Sequence, residues 1–244
     1  MPGQTLTAPL RLGDLTVATP VVLAPMAGIT NAAFRQLCRE QGAGLYVYSS
    51  RLAPLVETPS PQAGRDAPPE GHPGLYVCEM ITSRGIVERI PKTFDMLRFD
   101  PGETVRSVQL YGVDPAVMAR AAEILCEEFG VSHIDLNFGC PVPKVTRRGG
   151  GGVLPWKRDR LAAILTATVK AAARYGVPVT MKTRLGIDDD HLTYLDAGRI
   201  AQQAGCAAIA LHARTVKQAY SGQADWTTIG TLVEALEIPV LGNG

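Results

Sequence analysis

Short apolar runs alternate along the chain with longer segments in which apolar residues return at helical spacing. The run Val21–Ala24 is typical of a buried strand, and the segment from about Asn31 to Gln41 has the pattern of an amphipathic helix. The alternation continues and predicts seven strands, at Val21–Ala24, Leu45–Tyr48 or Leu75–Cys78, Val105–Leu110, His133–Asn137, Val179–Thr183, Ala208–His212 and Pro239–Leu241. Such regular alternation is typical of parallel strands joined by crossover helices.

The segments between these strands predict helices, and a hairpin-like start over Leu10–Val17 precedes the first strand. The predicted helices are Asn31–Gln41, Ser83–Ile90, Pro115–Phe129, Lys157–Arg174, Leu192–Ala204 and Trp226–Leu236. Thr30 or Asn31 is the expected N-cap of the first helix. Asp114 is the expected N-cap of the helix that begins at Pro115, because a carboxylate followed by proline at the first helical position is a favourable start.

Glycine and polar residues gather directly after the predicted strands. They form the segments Pro25-Met26-Ala27-Gly28, Tyr111-Gly112, Gly139-Cys140-Pro141, Arg184-Leu185-Gly186, Ala213-Arg214-Thr215 and Gly242-Asn243-Gly244. Strand-to-helix loops on one rim are where parallel barrels place their sites, whereas a doubly wound sheet concentrates such signals at one switch point. The sequence therefore predicts an α/β fold, a TIM-type (β/α)8 barrel that is incomplete, with about seven βα units. Residues 1–244 are expected to form one catalytic barrel domain that is truncated after strand seven.

One short sequence occurs twice, as Gly44-Leu45-Tyr46-Val47 and as Gly74-Leu75-Tyr76-Val77. The intervening segment, Tyr48–Pro73, carries six prolines, which suit neither a sheet interior nor a packed helix. We interpret residues 48–73 as a proline-rich inserted loop. The later copy is the preferred second strand because it continues into a helix-like segment.

Composition excludes several classes of protein. Hydrophobic residues make up 46% and charged residues 19% of the chain, as in an ordinary globular protein. No apolar run is long enough to span a membrane and the start lacks the layout of a signal peptide, so a cytoplasmic protein is expected, with no membrane partner. The five cysteines include no C-x-x-C pair, which argues against a disulfide framework and a metal site. A monomer is expected.

The basic residues are unevenly distributed. Net charge is only +1, but between Pro141 and Leu185 ten Lys or Arg residues stand against one acid, Asp159. This surplus predicts a phosphate-facing patch. Three of these residues are interpreted instead as solvated positions on a helix: Arg160, Lys170 and Arg174.

Cys140 is the candidate catalytic residue. It lies just past a predicted strand, between glycine and proline, and so on a rigid rim loop. Such a position suits proton transfer or nucleophilic attack, and a structural rim cysteine is the alternative.

The strand-end motifs resemble those of the tRNA-dihydrouridine synthases. They are Ala24-Pro25-Met26-Ala27-Gly28-Ile29-Thr30-Asn31, Ser107-Val108-Gln109-Leu110-Tyr111-Gly112, Asn137-Phe138-Gly139-Cys140-Pro141, Met181-Lys182-Thr183-Arg184 and His212-Ala213-Arg214-Thr215. The resemblance extends from about Leu10 to Gly244 except for the insertion, with the motifs in the family's order. It implies an enzyme that binds FMN, takes hydride from NADPH and reduces the C5–C6 bond of particular uridines in tRNA to dihydrouridine.

The resemblance also implies residue roles. Cys140 matches the family's proton donor, which protonates C5 after the flavin has passed hydride to C6. The cofactor contacts carried over are Pro25, Met26 and Ala27 in the first loop, Gln109 at the polar edge of the flavin, Lys182 near its N1–C2 side, His212 near the ribityl or phosphate group, and Asn243 and Gly244 at the phosphate. Compared with the family, the sequence is expected to lack the eighth strand and the C-terminal helical RNA-binding domain.

The substrate contacts are expected around an extruded uracil. The candidates for substrate or RNA binding are Asn137, Lys144, Arg147, Arg148, Arg184 and Arg214. The run Arg148–Gly152 is expected to be a mobile loop that admits RNA, with a flexible linker as the alternative. Tyr220 and Trp226 are interpreted as packing residues. Two other functions stay open: an FMN barrel acting on a free pyrimidine, and an inactive or weakly RNA-binding fragment.

Overall fold

The computed structural model describes residues 9–17, 20–40 and 74–244. The strands are β1 (Leu10–Leu12), β2 (Leu15–Val17), β3 (Val22–Leu23), β4 (Leu75–Thr82), β5 (Ser107–Tyr111), β6 (His133–Phe138), β7 (Val179–Arg184), β8 (Ala208–His212) and β9 (Val240–Asn243). The helices are α1 (Ala32–Glu40), α2 (Ser83–Val87), α3 (Pro91–Asp95), α4 (Pro115–Phe129), α5 (Pro143–Thr146), α6 (Arg158–Ala173), α7 (Tyr194–Gln203) and α8 (Trp226–Ala235), with a 3-10 helix over Gly151–Trp156.

Strands β3 to β9 form one parallel sheet of seven strands whose spatial order is their order in the sequence. The sheet curls with its helices into part of a barrel, which confirms the predicted α/β fold of TIM type. The register is continuous at the carboxyl ends: Asn137 pairs with Lys182, Arg184 with His212, and His212 with Asn243. All the loops that follow these strands therefore lie on one rim.

The main core lies between the sheet and its helices. In β6 the buried apolar residues Ile134, Leu136 and Phe138 belong to this core. The intervening residues His133, Asp135 and Asn137 are polar and lie on the concave face of the strand. Because successive side chains of a strand point to opposite faces, this alternation gives the barrel a polar interior inside an apolar layer.

The N-terminal hairpin lies at the opposite end of the barrel from that rim. Strands β1 and β2 pair antiparallel, as the sequence predicts for Leu10–Val17. Leu12 and Val17 are fully buried and cluster with Leu75, Val77 and Ala208 at the amino-terminal ends of the strands. The hairpin thus covers the bottom of the barrel with an apolar layer.

The predicted helix caps are confirmed. Asp114 Oδ1 accepts hydrogen bonds from the backbone N–H of Ala116 at 2.9 Å and of Val117 at 3.1 Å. Asn31 caps α1, because its Oδ1 accepts the backbone N–H of Phe34 at 3.1 Å. These short-range polar contacts fix where each helix leaves the rim.

The choice of the second barrel strand is settled in favour of the later copy of the repeat. β4 begins at Leu75 and pairs in parallel with both β3 and β5. The first copy, at Leu45–Tyr48, and the proline-rich segment 48–73 lie outside the described residues. Among the described residues, no helix is long and apolar enough to cross a membrane.

The expectation of a mobile loop at Arg148–Gly152 is wrong for its last three residues, Gly150, Gly151 and Gly152. Gly150, Gly151 and Gly152 are buried, and Gly151 begins the 3-10 helix that packs on β6. The backbone N–H of Gly152 donates to the carbonyl oxygen of Cys140 at 3.0 Å. The glycines are needed here for close packing, since side chains would not fit, and not for freedom of movement.

Candidate active site

Cys140 is half-buried on the loop after β6, and its backbone is held by side chains. Asn137 Oδ1 accepts the backbone N–H of Gly139 at 3.1 Å and that of Cys140 at 2.9 Å. From the neighbouring strand, Arg184 Nε donates to the carbonyl oxygen of Gly139 at 2.9 Å. The loop is therefore fixed from two sides, as a positioned acid or nucleophile requires.

A chain of hydrogen bonds leads from this loop into the barrel. Asn137 Nδ2 donates to Gln109 Oε1 at 2.9 Å, and Gln109 Nε2 donates to Asp135 Oδ2 at 2.7 Å. Asp135 is 4% exposed, and burial raises its pKa. Hydrogen bonds from Thr180 and Gln109 and the charge of Lys182 oppose that rise.

A second arm of the network runs toward the bottom of the barrel. Thr180 Oγ1 donates to Asp135 Oδ1 at 2.6 Å and lies 3.0 Å from His133 Nε2. The other ring nitrogen of His133 lies 2.8 Å from the hydroxyl of Ser107. Burial lowers the pKa of His133 to about 3, so this imidazole is neutral and hydrogen-bonds through both nitrogens.

Lys182 and Asn243 meet at the carboxyl ends of β7 and β9. Lys182 Nζ donates to Asn243 Oδ1 at 2.9 Å. Burial is the main reason that the pKa of Lys182 is lowered to about 8; the charge of Asp135 opposes this shift and that of Arg184 adds to it. At neutral pH the lysine is still largely protonated, so it places a cation at the mouth of the barrel.

His212 lies between these two strands, at the end of β8. Burial lowers its pKa to about 4, aided by the charges of Arg184, Lys182 and Arg214. Arg214 Nη1 lies 3.2 Å from His212 Nε2, and the ring meets that of Tyr220 edge-on at 6.3 Å. A neutral imidazole here is a hydrogen-bonding group and not a charge.

The two arginines at the rim, Arg184 and Arg214, differ in how many of their guanidinium donors are hydrogen-bonded. The guanidinium of Arg184, a residue only 3% exposed, also donates from Nη1 to the carbonyl oxygens of Thr215 at 3.1 Å and Ala219 at 2.7 Å. Arg214 Nη2 donates to the Gly222 carbonyl at 3.0 Å, while its buried Nε has no hydrogen-bond partner within the described ranges. Arg184 thus ties the loop after β6 to the loop after β8, and Arg214 keeps an unused donor.

Tyr220 and Trp226 are not buried packing residues, as the sequence analysis interpreted them, because both side chains are largely exposed. Tyr220 is 76% and Trp226 58% exposed. Arg184 lies 5.4 Å from the centroid of the Tyr220 ring, so the tyrosine covers the guanidinium from outside.

The first loop, Pro25–Ala27, is anchored by a buried ion pair. Met26 N donates to Thr30 Oγ1 at 3.0 Å, and Arg35 Nη1 donates to the carbonyl oxygen of Thr30 at 2.8 Å. Arg35 Nε lies 2.6 Å from Glu103 Oε1, with both side chains almost completely buried. Glu103 therefore fixes this loop through Arg35.

A deep cleft of about 980 Å³ runs along the concave side of the sheet. At the rim its walls include Pro25, Lys182 and Asn243, and deeper in they include Asp135 and Thr180. This volume is at the upper end of that typical for cofactor and small-molecule sites.

Three exposed basic residues follow Cys140 closely in the sequence. Lys144 and Arg147, on or next to α5, are exposed, as is Arg148. They follow Cys140 by four to eight residues. This part of the predicted phosphate-facing patch is thus on the surface beside the site.

Sequence reasoning found the rim residues but missed the interior ones. Ser107, His133, Asp135 and Thr180 were given no role, although each occupies an alternate position in a buried strand. That period-two polar pattern within three consecutive parallel strands was the available signal, because such strands are normally apolar on both faces. In the described part of the chain, no group of His, Cys, Asp or Glu residues is placed to hold a metal ion.

A curled parallel sheet whose polar side chains converge after its strands is the architecture of the βα-barrel enzymes. Comparison with known proteins shows which family of βα-barrel enzymes the chain belongs to. Residues 22–244 match the family described as Dihydrouridine synthase (Dus), and the chain belongs to this family. The resemblance seen in the strand-end motifs is thereby confirmed.

Several curated proteins are similar to the chain. It is 50% identical over 236 residues to a probable tRNA-dihydrouridine synthase of Mycobacterium tuberculosis (strain ATCC 25618 / H37Rv), covering 96% of this chain and 55% of that protein. It is 51% identical over 226 residues to one from Mycobacterium leprae (strain TN), covering 91% and 57%. It is 36% identical over 235 residues to tRNA-dihydrouridine synthase B of Pseudomonas aeruginosa, covering 96% and 60%. The chain thus spans a little over half the length of these relatives.

Proposed function

We propose that the protein binds FMN in the cleft and reduces specific uridines of tRNA to 5,6-dihydrouridine, with NADPH as the reductant and Cys140 as the proton donor. The observation that carries this proposal is the convergence of five strand-end elements on one rim. Asn137 joins the Cys140 loop to Gln109, while Lys182 and His212 meet at Asn243. This arrangement occurs in a chain that belongs to the dihydrouridine synthase family.

The polar residues at the rim fit a flavin and the substrate beside it. Lys182 supplies a half-buried cation, and the buried Nε of Arg214 is a donor without an acceptor in the described part of the protein. A bound anion or polar ring edge would satisfy such groups. We assign Pro25, Met26 and Ala27 to the face of the isoalloxazine, Gln109 and Lys182 to its polar edge, and His212, Asn243 and Gly244 to the ribityl phosphate.

FMN, when reduced, supplies the hydride that C6 of the uracil accepts. The chain's own part is to complete the reduction at C5. Cys140 transfers its thiol proton to C5, and the resulting thiolate takes up a proton from solvent after the product leaves. Asn137, with Arg214, is assigned to the edge of the uracil, so that C5 faces the thiol.

The exposed cations beside Cys140 favour an RNA substrate over a free pyrimidine. Lys144, Arg147 and Arg148 lie outside the cleft, where a free base would not reach them. Phosphates that flank an extruded uridine would lie on that surface. Arg184 holds the walls of the pocket through its three carbonyl contacts, and we assign its remaining edge to the substrate.

The test uses the purified protein with FMN, NADPH and unmodified tRNA. Visible absorbance retained after gel filtration reports bound flavin, and mass spectrometry of digested tRNA reports dihydrouridine. Cys140→Ala should lose about 10²–10⁴-fold in dihydrouridine formation, the usual contribution of a positioned acid, with flavin reduction by NADPH unchanged.

Two outcomes would contradict this function. Reduction of free uridine with no reaction on tRNA would assign the barrel to a small-molecule substrate. Loss of flavin reduction together with dihydrouridine formation in Cys140→Ala would remove the cysteine from the role of proton donor. Cys126→Ala, on the outer helix α4, is the matched control and should behave as the unmodified protein.

A further inference from the structure

A chain of hydrogen bonds runs from the Cys140 loop through the side-chain amides of Asn137 and Gln109 to the carboxyl group of Asp135. Which group donates and which accepts is fixed at every step. The backbone N–H groups of Gly139 and Cys140 can only donate, so Asn137 must turn its oxygen toward them. Its amide nitrogen, which can only donate, then requires the oxygen of Gln109. The nitrogen of Gln109 in turn requires an acceptor, and at 2.7 Å that acceptor is Asp135 Oδ2.

No other orientation satisfies all of these groups. A flip of either amide would set a nitrogen against a nitrogen and an oxygen against an oxygen. Asp135 and Gln109 are 4% and 1% exposed, so bulk water does not replace a lost partner there. The acceptor at position 135 therefore completes, at the buried end, the arrangement that the two backbone N–H groups begin at the other.

On the basis of the function proposed above, we propose that Asp135 is a positioning residue of the site. Its carboxyl group orients Gln109 and Asn137, and through them it holds the backbone of Cys140. Asp135 lies two residues before Asn137 on β6, in the wall of the cleft, and its side chain accepts hydrogen bonds from Gln109 and Thr180. Its effect on the thiol is transmitted by the two amides.

The second arm of the network, from Asp135 through Thr180 and His133 to Ser107, differs because each of its donors and acceptors can exchange roles. A hydroxyl can donate or accept, and a neutral imidazole can carry its proton on either nitrogen. Thr180, His133 and Ser107 can therefore reverse all their hydrogen bonds together. Changes on that arm should leave the amide arm, and hence Cys140, in place.

This difference defines a set of variants. Asp135→Ala removes the acceptor that Gln109 needs. Asp135→Asn keeps one, because the new amide can turn its oxygen to Gln109 and its nitrogen to Thr180, whose arm then reverses. Thr180→Val is the matched control, since it deletes the other hydrogen bond to the same carboxyl group.

The experiment measures hydrogen exchange of the Cys140 backbone amide, which donates to Asn137 at 2.9 Å. Protein labelled with ¹⁵N-cysteine gives five amide signals, one for each cysteine, and Cys140→Ser identifies the signal of interest. We expect exchange to accelerate about tenfold or more in Asp135→Ala, as a lost hydrogen bond of about 1.4 kcal/mol would produce. In Asp135→Asn and Thr180→Val the exchange rate of the Cys140 amide should stay within about threefold of that in the unmodified protein, because no hydrogen bond of the amide arm is lost.

Equal acceleration in Asp135→Ala and Thr180→Val would overturn the proposal, because it would show a general loosening of the barrel. If Asp135→Ala does not fold, Gln109→Met decides the question, since it cuts the same chain one step nearer to Cys140; normal protection of the Cys140 amide in that variant would equally refute the proposal. The readout needs neither flavin nor turnover. Normal activity in Cys140→Ala would therefore refute the proton-donor role and leave the positioning result standing.

Discussion

A β-carbon on Gly151 would lie 2.5 Å from the carbonyl oxygen of Cys140. The backbone of Gly151 also has a φ of +57°, in the left-handed region that favours glycine. The start of the 3-10 helix therefore lies directly behind the loop of the candidate proton donor. Its closeness to that loop depends on the absence of a side chain.

Gly151→Ala should accordingly destabilise the protein and displace Cys140. The left-handed conformation costs about 1–2 kcal/mol for a residue with a β-carbon, and the overlap with the Cys140 carbonyl adds about 1–3 kcal/mol. Urea unfolding measures the total loss. Dihydrouridine formation should fall as well, by about 10²-fold if the thiol moves by about 1 Å.

Gly149→Ala is the control for backbone strain alone. Gly149 has a φ of +76°, but its β-carbon would meet nothing nearer than the Lys157 Nζ at 3.8 Å. The Gly149→Ala variant should lose about 1–2 kcal/mol of unfolding free energy and keep its activity. Equal losses of stability and activity in the two variants would show that the contact with Cys140 is unimportant.

Glu103→Gln should destabilise the protein by about 3–5 kcal/mol, because it leaves the buried guanidinium of Arg35 without a counter-charge. The pair is buried, with side-chain exposures of 0% and 2%. The first loop should loosen as well, since Arg35 also holds the carbonyl oxygen of Thr30. Urea unfolding and the Kd for FMN are the measurements.

Glu88→Gln, in the exposed ion pair Arg84–Glu88, is the control for Glu103→Gln. Arg84 and Glu88 lie one helical turn apart, with side chains 62% and 49% exposed. Glu88→Gln should change the free energy of unfolding by less than about 0.5 kcal/mol and leave the Kd for FMN unchanged. A loss in Glu103→Gln no larger than this would mean that the buried pair does not anchor the first loop.

The fold was largely predictable from the sequence, because its elements are specified locally. Helix α4 begins after Asp114 and ends at Phe129, as its capping residue and apolar spacing predict. The strand ends and the order of the motifs likewise follow from short apolar runs and the residues after them. Parallel pairing then places every strand-end loop on the same rim, so the rim of the candidate site was predictable too.

The interior network was not predictable because it depends on register. Asp135 contacts Gln109 and Thr180 only because it lies opposite both on adjacent strands. The pattern of a single strand does not state which residue of the next strand it faces. The glycine run after Arg148 was misread for a related reason: its composition is that of a linker, and only the neighbouring Cys140 carbonyl shows that it is packed.

Lys182 makes the stability of the protein depend on pH. Its pKa is lowered from 10.5 to about 8, first by burial and then by the charge of Arg184. Between about pH 8 and pH 10.5 the unfolded chain binds more protons at this lysine than the folded one does, so the free energy of unfolding should rise with pH in this window. The gain is at most about 3 kcal/mol and is reduced by solvent screening, because the side chain is half-buried.

The difference between the unmodified protein and Lys182→Met isolates this contribution, because the other titrating groups are common to both. Urea unfolding at several pH values, without added flavin, gives the two curves. The unmodified protein should gain stability relative to Lys182→Met from about pH 8 upward. A constant difference would show that the folded lysine titrates normally, and a relative loss above pH 8 would show that folding raises its pKa; either result would contradict the lowered pKa.

The exposed residues Lys144, Arg147 and Arg148 should determine much of the salt dependence of tRNA binding. Each phosphate contact contributes about −0.7 to −0.9 to the slope of log affinity against log salt concentration, so replacing all three by alanine should reduce the magnitude of the slope by about 2. Filter binding of tRNA across a salt series measures this. The control replaces the exposed residues Arg160, Lys170 and Arg174, which removes the same charge from α6 and its end. Equal slopes for the two triple variants would mean that RNA responds only to net charge and that the surface beside Cys140 is not its docking site.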